Sequence, residues 1–335
     1  MVNVTMEDVA RAADVSRALV SLVMRDSPKV SPEKREAVIR AAEQLGYRRN
    51  RLASSLASHR THTVGVLLSD LHNPVFAAVY DGLDDRLLDT PQRLLVATGR
   101  TDPDREAEAI WTFLDLRVDA VVLVGASVPD ALIAKVGERV PTVVTTRRVD
   151  DAPVDSVLTD DVAGARAAVD HLHDLGHRDI AHVASPSHLG HHDRLDGYAT
   201  RMRELGLDPF VVEGDLTRAG GARAAHAMLD RDRVPTAVFA HNDVTAIGVV
   251  DALTASGLDV PGDLSIVGYD NSDLAQLGQV SLTSVDMRSE ELGRTAADLV
   301  LERVGSPPLD GPRLHQLHPV LFERTSTRPV TPRDR

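Results

Sequence analysis

The chain has 335 residues, which is enough for two or three domains with buried cores. Its composition, 43% hydrophobic and 26% charged, is that of an ordinary globular protein, and it holds no apolar run of about 18 residues that could cross a membrane. Cysteine is absent, which excludes disulfides and thiolate metal sites, and the N-terminal residues lack the apolar core of a secretion signal. We therefore expect a cytoplasmic protein.

Charge is distributed unevenly along the chain, whose formal net charge is −13. Residues 1–60 hold 11 Lys and Arg against 7 Asp and Glu, whereas the remaining residues hold 26 against 43. A basic N-terminal part can bind phosphate groups, and an acidic body disfavours indiscriminate binding to nucleic acid. Chance variation in surface charge could give the same imbalance. Whether the protein binds nucleic acid therefore has to be judged from its sequence motifs.

The first 46 residues are predicted to form three short helices. Thr5 is placed to cap the first helix, with Asp8 three positions later, and Ser16 is placed to cap the second. A Ser-Pro pair at Ser31 begins the third helix, and Gly46 ends it. Two helices separated by a few residues, with a third in support, form the helix-turn-helix arrangement, which we assign to residues 1–47.

Residues 48–60 follow as a basic segment rich in small side chains. The segment is too short to be a stable helix free in water. We interpret it as a hinge that becomes helical only on DNA. A flexible linker is the alternative.

From Val64 onward the pattern changes to β-runs that alternate with Ala-rich amphipathic stretches. The strand candidates are 64–68, 94–96, 120–124, 142–145, 180–183, 211–212, 237–240, 265–268 and 282–285. Such alternation indicates doubly wound parallel sheets with helices on both faces, and the number of strands favours two lobes. Ligands in these α/β folds bind beyond the carboxyl ends of the strands, so two facing lobes would form a cleft.

Several segments of the chain resemble the LacI/GalR family of bacterial transcriptional repressors. They are VTMEDVARAADVSRALVSLVMRDSPKVSPEKREAVIRAAEQLGYRRNRLASSLAS in the head and VGVLLSDLHNPVFA, DREAEAIWTFLDLRVDAVVLVG, HLHDLGHRDIAHV, DRLDGY, FAHNDVTAIGVVDAL, IVGYDN and LTSVDMRSEELGRTAADLVLERV in the body. The resemblance implies periplasmic-binding-protein-like lobes, a homodimer or tetramer, a palindromic operator and a small effector, most often a sugar.

On this basis residues 61–335 form the effector-binding and dimerisation domain. We expect an N-lobe of about 61–160 and 291–320 and a C-lobe of about 161–290 and 321–335.

The recognition helix of such a head enters the major groove, where its first exposed residues meet base edges. Arg17 can form a bidentate contact with guanine, and Ala18 or Leu22 can touch a thymine methyl group. By resemblance, Leu56 wedges between base pairs in the minor groove, although a core contact is its alternative role. The predicted DNA-binding residues are Thr5, Ser16, Arg17, Ala18, Ser21, Leu22, Arg25, Asn50, Arg51, Ala53, Leu56 and Ala57. Leu22 and Arg25 differ from the residues that the family often has there.

Polar residues at the strand ends of the matching motifs are the effector candidates, because their groups can form paired hydrogen bonds with vicinal hydroxyls. They are Asp70, His72, Asn73, Phe76, Thr98, Arg100, Arg147, Asp160, Arg194, Asn242 and Asp270. Asp270 and Arg194 are the strongest candidates, and a surface ion pair or loop cap is the alternative for Asp70 and Asp160. The Thr-Thr pair before Arg147 departs from the family's usual Asp-Arg and weakens any specific sugar assignment.

Metal and cofactor chemistry finds little support. His173 and His177 have the spacing of a helical zinc pair, but the sequence offers no clear third ligand, and we expect no metal. The glycine-rich nucleotide fingerprint, the Walker loop and the nucleophile elbow are all absent, so we expect no cofactor and no enzyme. A solute-binding protein and a doubly wound enzyme are the alternatives, and neither explains residues 1–58. We therefore predict a sequence-specific, effector-controlled repressor of a catabolic or transport operon.

Overall fold

The fold is described from a computed structural model of the chain. The structure describes residues 4–24, 27–47, 60–184, 192–231, 234–277, 281–305 and 311–330. Contacts divide the chain into two units, residues 1–61 and 62–335. Each unit has a hydrophobic core of its own.

The N-terminal unit has three helices, α1 (Met6–Ala12), α2 (Arg17–Met24) and α3 (Pro32–Leu45). Their buried side chains form one small core of Val9, Ala10, Val20, Val23, Val30, Val38, Ala41 and Ala42. This arrangement confirms the predicted helix-turn-helix head.

The caps of these helices follow the sequence signals with one exception. Thr5 and Asp8 form a reciprocal capping box, and the Leu19 amide donates to Ser16 Oγ at 3.2 Å. Gly46 ends α3 in the left-handed conformation with φ 65°. Ser31 is the N-cap residue of α3 and Pro32 lies in its first turn, as predicted, but the Ser31 side chain makes no capping hydrogen bond.

The second unit contains two six-stranded sheets. The N-lobe strands are β1 (Thr63–Leu68), β2 (Arg93–Thr98), β3 (Ala120–Val124), β4 (Thr142–Thr145), β5 (Asp155–Thr159) and β11 (Leu314–Leu317). They lie in the order β11-β5-β4-β3-β1-β2, and every pair is parallel.

The C-lobe repeats this plan with one difference. Its strands are β6 (Ile180–Ala184), β7 (Phe210–Glu213), β8 (Ala237–Ala240), β9 (Ser265–Tyr269), β10 (Thr283–Asp286) and β12 (Val320–Phe322). Their order is β12-β10-β9-β8-β6-β7. The two doubly wound parallel sheets predicted from the sequence are confirmed, with one antiparallel pair at the C-lobe edge, between β12 and β10.

Eight α-helices belong to the described part of the second unit. They are α4 (Pro74–Leu87), α5 (Pro103–Asp115), α6 (Asp130–Gly137), α7 (Asp161–Asp174), α8 (Asp193–Glu204), α9 (Arg218–Leu229), α10 (Asp243–Ala255) and α11 (Ser289–Gly305). Helices α4 and α11 pack with their backbones in close approach, since a Cβ on Gly82 would lie 2.0 Å from the Glu290 carbonyl oxygen. A Cβ on Gly293 would lie 2.1 Å from the Val79 carbonyl oxygen, so neither glycine has room for a side chain.

The chain passes between the two lobes three times. It leaves the N-lobe after β5, returns after β10 to form α11 and β11, and crosses again to form β12. As a result, each lobe combines an early segment with one from the end of the chain.

Candidate functional site

The outward surface of α2 holds the predicted base-reading residues. Arg17 and Ala18 are exposed, whereas Ser21 and Leu22 are half-buried. Arg17 Nε lies 3.9 Å from Glu7 Oε1, and both side chains are 68% exposed. Because such a surface pair contributes little, the Arg17 guanidinium remains available to a ligand.

The rest of the predicted DNA contacts divide into two groups. Thr5 and Ser16 use their hydroxyls to cap α1 and α2, which places both at helix N-termini that can face phosphate. The remaining predicted residues, Arg25, Asn50, Arg51, Ala53, Leu56 and Ala57, lie outside the described residues.

A cavity of about 140 Å³ lies between the two lobes, beyond the carboxyl ends of strands from both sheets. Six of the predicted effector residues line it, namely Asp70, Asn73 and Phe76 from the N-lobe and Arg194, Asn242 and Asp270 from the C-lobe. The structure therefore brings together residues that are up to 200 positions apart in the chain.

Arg194, in the first turn of α8, is the central cation of this cavity. The residue is only 7% exposed, and its Nη1 donates to the His241 carbonyl oxygen at 2.7 Å. Two carboxylates lie on either side, with Asp161 Oδ1 3.3 Å from Nε and Asp270 Oδ1 3.7 Å from Nη1. These contacts fix the plane of the guanidinium at the cavity wall.

Tyr269 and Asp161 support that guanidinium, and sequence reasoning missed both. The guanidinium carbon of Arg194 lies 3.7 Å from the centroid of the Tyr269 ring, which is the geometry of a cation–π contact. Tyr269 Oη donates to Asp161 Oδ1 at 2.6 Å. Asp161 directly follows Asp160 after β5, a strand that the sequence analysis did not identify. Identifying β5 would have placed this second carboxylate at a strand end.

Asp270 follows β9 in an unusual backbone conformation, with φ 98°. Its amide donates to the Val285 carbonyl oxygen at 2.8 Å, and the residue is only 5% exposed. Burial raises the pKa of Asp270, and the nearby charge of Arg194 and hydrogen bonding to Asn73 oppose that rise. A carboxyl group in this position can donate or accept a hydrogen bond, depending on its protonation.

Three predicted effector residues act as helix caps. The Val75 amide donates to Asn73 Oδ1 at 3.1 Å, and the Thr245 amide donates to Asn242 Oδ1 at 2.8 Å. Asp160 Oδ1 accepts from the Ala163 amide in the same way. Asn73 and Asn242 both line the cavity, but the Oδ1 atom of each already accepts a hydrogen bond from its helix. Each side chain therefore has fewer hydrogen-bonding groups left for a ligand than the sequence alone predicts.

Five predicted effector residues do not line the cavity, namely His72, Thr98, Arg100, Arg147 and Asp160. The His72 ring pairs with Asp70 Oδ1 at 2.8 Å, and Arg100 is exposed. Arg147 is used within the N-lobe, where its Nη2 donates to the Val128 carbonyl oxygen and to Asp130. The side chain of Thr98 contacts backbone rather than the cavity.

Glu106 was not predicted, although it organises the N-lobe wall of the cavity. This fully buried carboxylate accepts from Ser69 Oγ at 2.9 Å and from the amides of Ser127 and Val128 at 2.6 and 3.1 Å. Both serines line the cavity. Burial raises the pKa of Glu106, which the three donated hydrogen bonds oppose.

The remaining lining residues were also missed. They are Ser69, Val75, Thr101, Gly125, Ser127, Thr146, Asp161, Asp215, Leu216, Thr217, His241 and Met287. All but Val75 lie one to four positions beyond a strand, where the sequence offers many residues and no means of ranking them.

The described residues contain no group of three or more His, Asp or Glu side chains placed to hold a metal ion. His177 is buried, with Nδ1 2.9 Å from Thr236 Oγ1 and Nε2 3.0 Å from the Arg328 carbonyl oxygen. Among the helices of the described ranges, none combines the length and apolar character that a membrane span requires.

A helix-turn-helix head in the same chain as a two-lobed α/β domain with a cavity between its lobes defines a DNA-binding regulator with a ligand-sensing domain. Residues 5–50 match the family model for bacterial regulatory proteins of the lacI family, and residues 169–327 match that of the periplasmic binding protein-like domain.

Full-length relatives agree with this assignment. Catabolite control protein A of Priestia megaterium is 32% identical over 330 residues, which cover 97% of this chain and 99% of that protein. The ribose operon repressor of Escherichia coli K12 is 33% identical over 328 residues, covering 96% and 99%. The lac repressor dimer bound to operator and the anti-inducer ONPF superimposes with a TM-score of 0.87 at 29% identity, covering 98% of this chain and 100% of that one. The chain therefore belongs to the LacI family and is a DNA-binding transcriptional regulator.

Proposed function

We propose that this regulator is a homodimeric repressor that binds a palindromic operator and is controlled by a small sugar or polyol in the cavity between its lobes. The cavity supports this most directly, because it places a buried guanidinium, carboxylates and serine hydroxyls around a volume of about 140 Å³. Carboxylate and guanidinium groups form paired hydrogen bonds with vicinal hydroxyls. Phe76 adds an apolar face for the carbon skeleton of a sugar.

The matched relatives support both halves of the proposal. One is named for the ribose operon and another for catabolite control, and the lac repressor structure is a dimer on its operator. A dimer presents two recognition helices to two half-sites, which is the geometry that a palindrome requires.

An apolar groove on the C-lobe is the surface that we assign to a second copy of the chain. It lies along α10 and is lined by Val244, Ile247, Val250, Leu274, Leu277 and Leu282 among others. Leu277 is 64% exposed and extends this groove into a contiguous apolar patch, the kind of surface that marks a protein–protein contact. Sedimentation of wild type and Leu277→Asp tests this role, and equal dimer fractions would rule it out.

The ligand half is tested by thermal shift of the full chain against a panel of sugars and polyols, with and without operator DNA obtained by binding-site selection. A ligand that binds the native state raises Tm in proportion to the logarithm of its concentration over Kd. We expect one sugar to raise Tm and to release the operator in a gel shift. Tighter operator binding with that sugar would indicate corepression instead, and a panel without any shift would contradict the proposal.

A further inference from the structure

The cavity between the lobes is acidic. Among the described residues that line it, four are aspartates, Asp70, Asp161, Asp215 and Asp270, and one is an arginine, Arg194. Even with Asp270 protonated, three carboxylates face one guanidinium. Asp215 is paired with Arg223, and counting that arginine still leaves an excess of negative charge.

The charge of Arg194 is already compensated by two neighbouring carboxylates. Its guanidinium already contacts the His241 carbonyl oxygen and lies within 3.7 Å of both Asp161 and Asp270. A phosphate or carboxylate on the ligand would have to displace these buried carboxylates, and a buried charge that loses its partner is costly.

Three of the helix N-termini near the cavity are capped by side chains of the protein, whereas α8, whose first turn carries Arg194, receives no capping hydrogen bond from a described side chain. Asn73, Asp160 and Asn242 accept from the first-turn amides of α4, α7 and α10. A phosphate normally binds such free amides. Two of the three capping residues are asparagines, and the third, Asp160, carries a carboxylate that adds negative charge at the start of α7.

Other described cations near the cavity are exposed or already engaged. Arg147 donates to the Val128 carbonyl oxygen and to Asp130, and Arg100 is exposed and outside the lining. Further acids lie on the C-lobe rim, where burial raises the pKa of Asp193 and the charges of Asp161 and Asp196 raise it further. The potential of this region is therefore negative.

We propose that the effector is an uncharged polyhydroxy compound and that the cavity excludes phosphorylated and carboxylated derivatives of the same sugar. This inference rests on the proposed function, since it assigns the charge class of the ligand in that cavity. An anionic group added to the ligand meets an excess of carboxylates over cations among the described lining residues, and charge repulsion therefore disfavours its binding.

The experiment uses the full chain and the sugar that gives the largest thermal shift. Its uronate and uronamide have nearly the same shape and differ by one charge, so they separate repulsion from steric exclusion. Titration calorimetry should show the uronate, and likewise the sugar phosphate, binding at least about 100-fold more weakly than the uncharged forms, or about 2.7 kcal/mol. Raising the salt concentration should narrow the gap between uronate and uronamide, because salt screens partly exposed charges.

Asp161→Asn should also narrow that gap, and Asp174→Asn, at the exposed far end of the same helix, should leave it unchanged. If Asp161→Asn loses all ligand binding, the wild-type salt titration is the test. An affinity gap between uronate and uronamide that does not narrow with salt would then contradict charge repulsion. An anionic form that binds as tightly as the uncharged one would overturn this inference and leave the proposed function intact. Absence of binding by every sugar would overturn both.

Discussion

The guanidinium of Arg194 stacks on the ring of Tyr269 at 3.7 Å, and the hydroxyl of that ring holds Asp161 at 2.6 Å. Tyr269 ends β9, whereas Arg194 lies in the first turn of α8 and Asp161 begins α7. One aromatic ring thus connects three elements of the C-lobe at the cavity wall. Residue 194 stacks on an aromatic ring, donates a hydrogen bond from a planar group and carries a permanent positive charge. Only arginine provides all three properties.

We therefore expect Arg194→Lys to impair both stability and effector binding. An ammonium group cannot stack on Tyr269 while donating to the His241 carbonyl oxygen, so buried carboxylates lose part of their compensation. The free energy of unfolding should fall by about 1–3 kcal/mol, measured by urea denaturation. Effector affinity in titration calorimetry should fall at least about tenfold. Arg148→Lys, in an ion pair with Asp150 where the arginine is 62% exposed, is the matched control and should behave as wild type.

The pH dependence of stability should change when Asp270 is replaced by asparagine. Burial raises the pKa of Asp270 to about 8, well above the ordinary range of an aspartate, so the folded state holds the proton more tightly than the unfolded state. The stability that this group contributes is complete at low pH and is lost as pH rises toward 8, with a slope of up to about 1.4 kcal/mol per pH unit. Asp270→Asn should flatten the fall in unfolding free energy between about pH 5 and 8. Parallel curves for both proteins would contradict this assignment.

Glu106→Gln should weaken effector binding although residue 106 does not line the cavity. The carboxylate accepts hydrogen bonds from the Ser69 hydroxyl and from the backbone amides of Ser127 and Val128. The side-chain NH₂ of a glutamine cannot accept, so at least one of these three groups would lose its acceptor. We expect a loss of about 1–3 kcal/mol in stability and a measurable loss of affinity. Glu108→Gln, exposed on the same helix, should change neither. Unchanged affinity in Glu106→Gln would show that Ser69 and Ser127 are not held for the ligand.

Arg17→Ala should relax base choice at one operator position, at a cost of about 1–3 kcal/mol for the preferred base. Arg17 is exposed at the start of α2, whereas Arg40 has similar exposure on α3 and serves as the control. Binding-site selection on both variants measures the outcome. A hinge variant, Arg51→Ala, should weaken binding to all sequences alike. If Arg40→Ala relaxed the base preference, or if Arg17→Ala left it unchanged, α2 would not be the helix that contacts the bases.

Local signals predicted much of the fold. The capping box at Thr5, the stop at Gly46 and the apolar runs of the central strands all lie where expected, because each depends on neighbours in sequence. The strands β5, β11 and β12 were missed. The last two are short edge strands with exposed residues, so they lack the continuous apolar run that identifies a buried strand.

The site was less predictable than the fold. Arg194 and Asp270 could be selected because they are charged residues in motifs that resemble a family. Tyr269 and Glu106 stand in such motifs too, but they read as ordinary core and helix residues. Their roles come from contacts over long sequence separation, such as the one between Tyr269 and Asp161. Residue type and position at a strand end therefore identify candidate site residues. Tertiary packing determines which of these residues come together at the cavity.

The three crossings between the lobes have a consequence for synthesis on the ribosome. The head can bury its core once residues 4–47 have emerged, whereas the N-lobe lacks its covering helix α11 and its edge strand β11 until residue 317 is made. Until then the edge of β5 and the face of α4 against which Gly293 packs stay uncovered in the nascent chain. A chain cut short before residue 289 would thus release a complete DNA-binding head on a body in which neither lobe has its last strand.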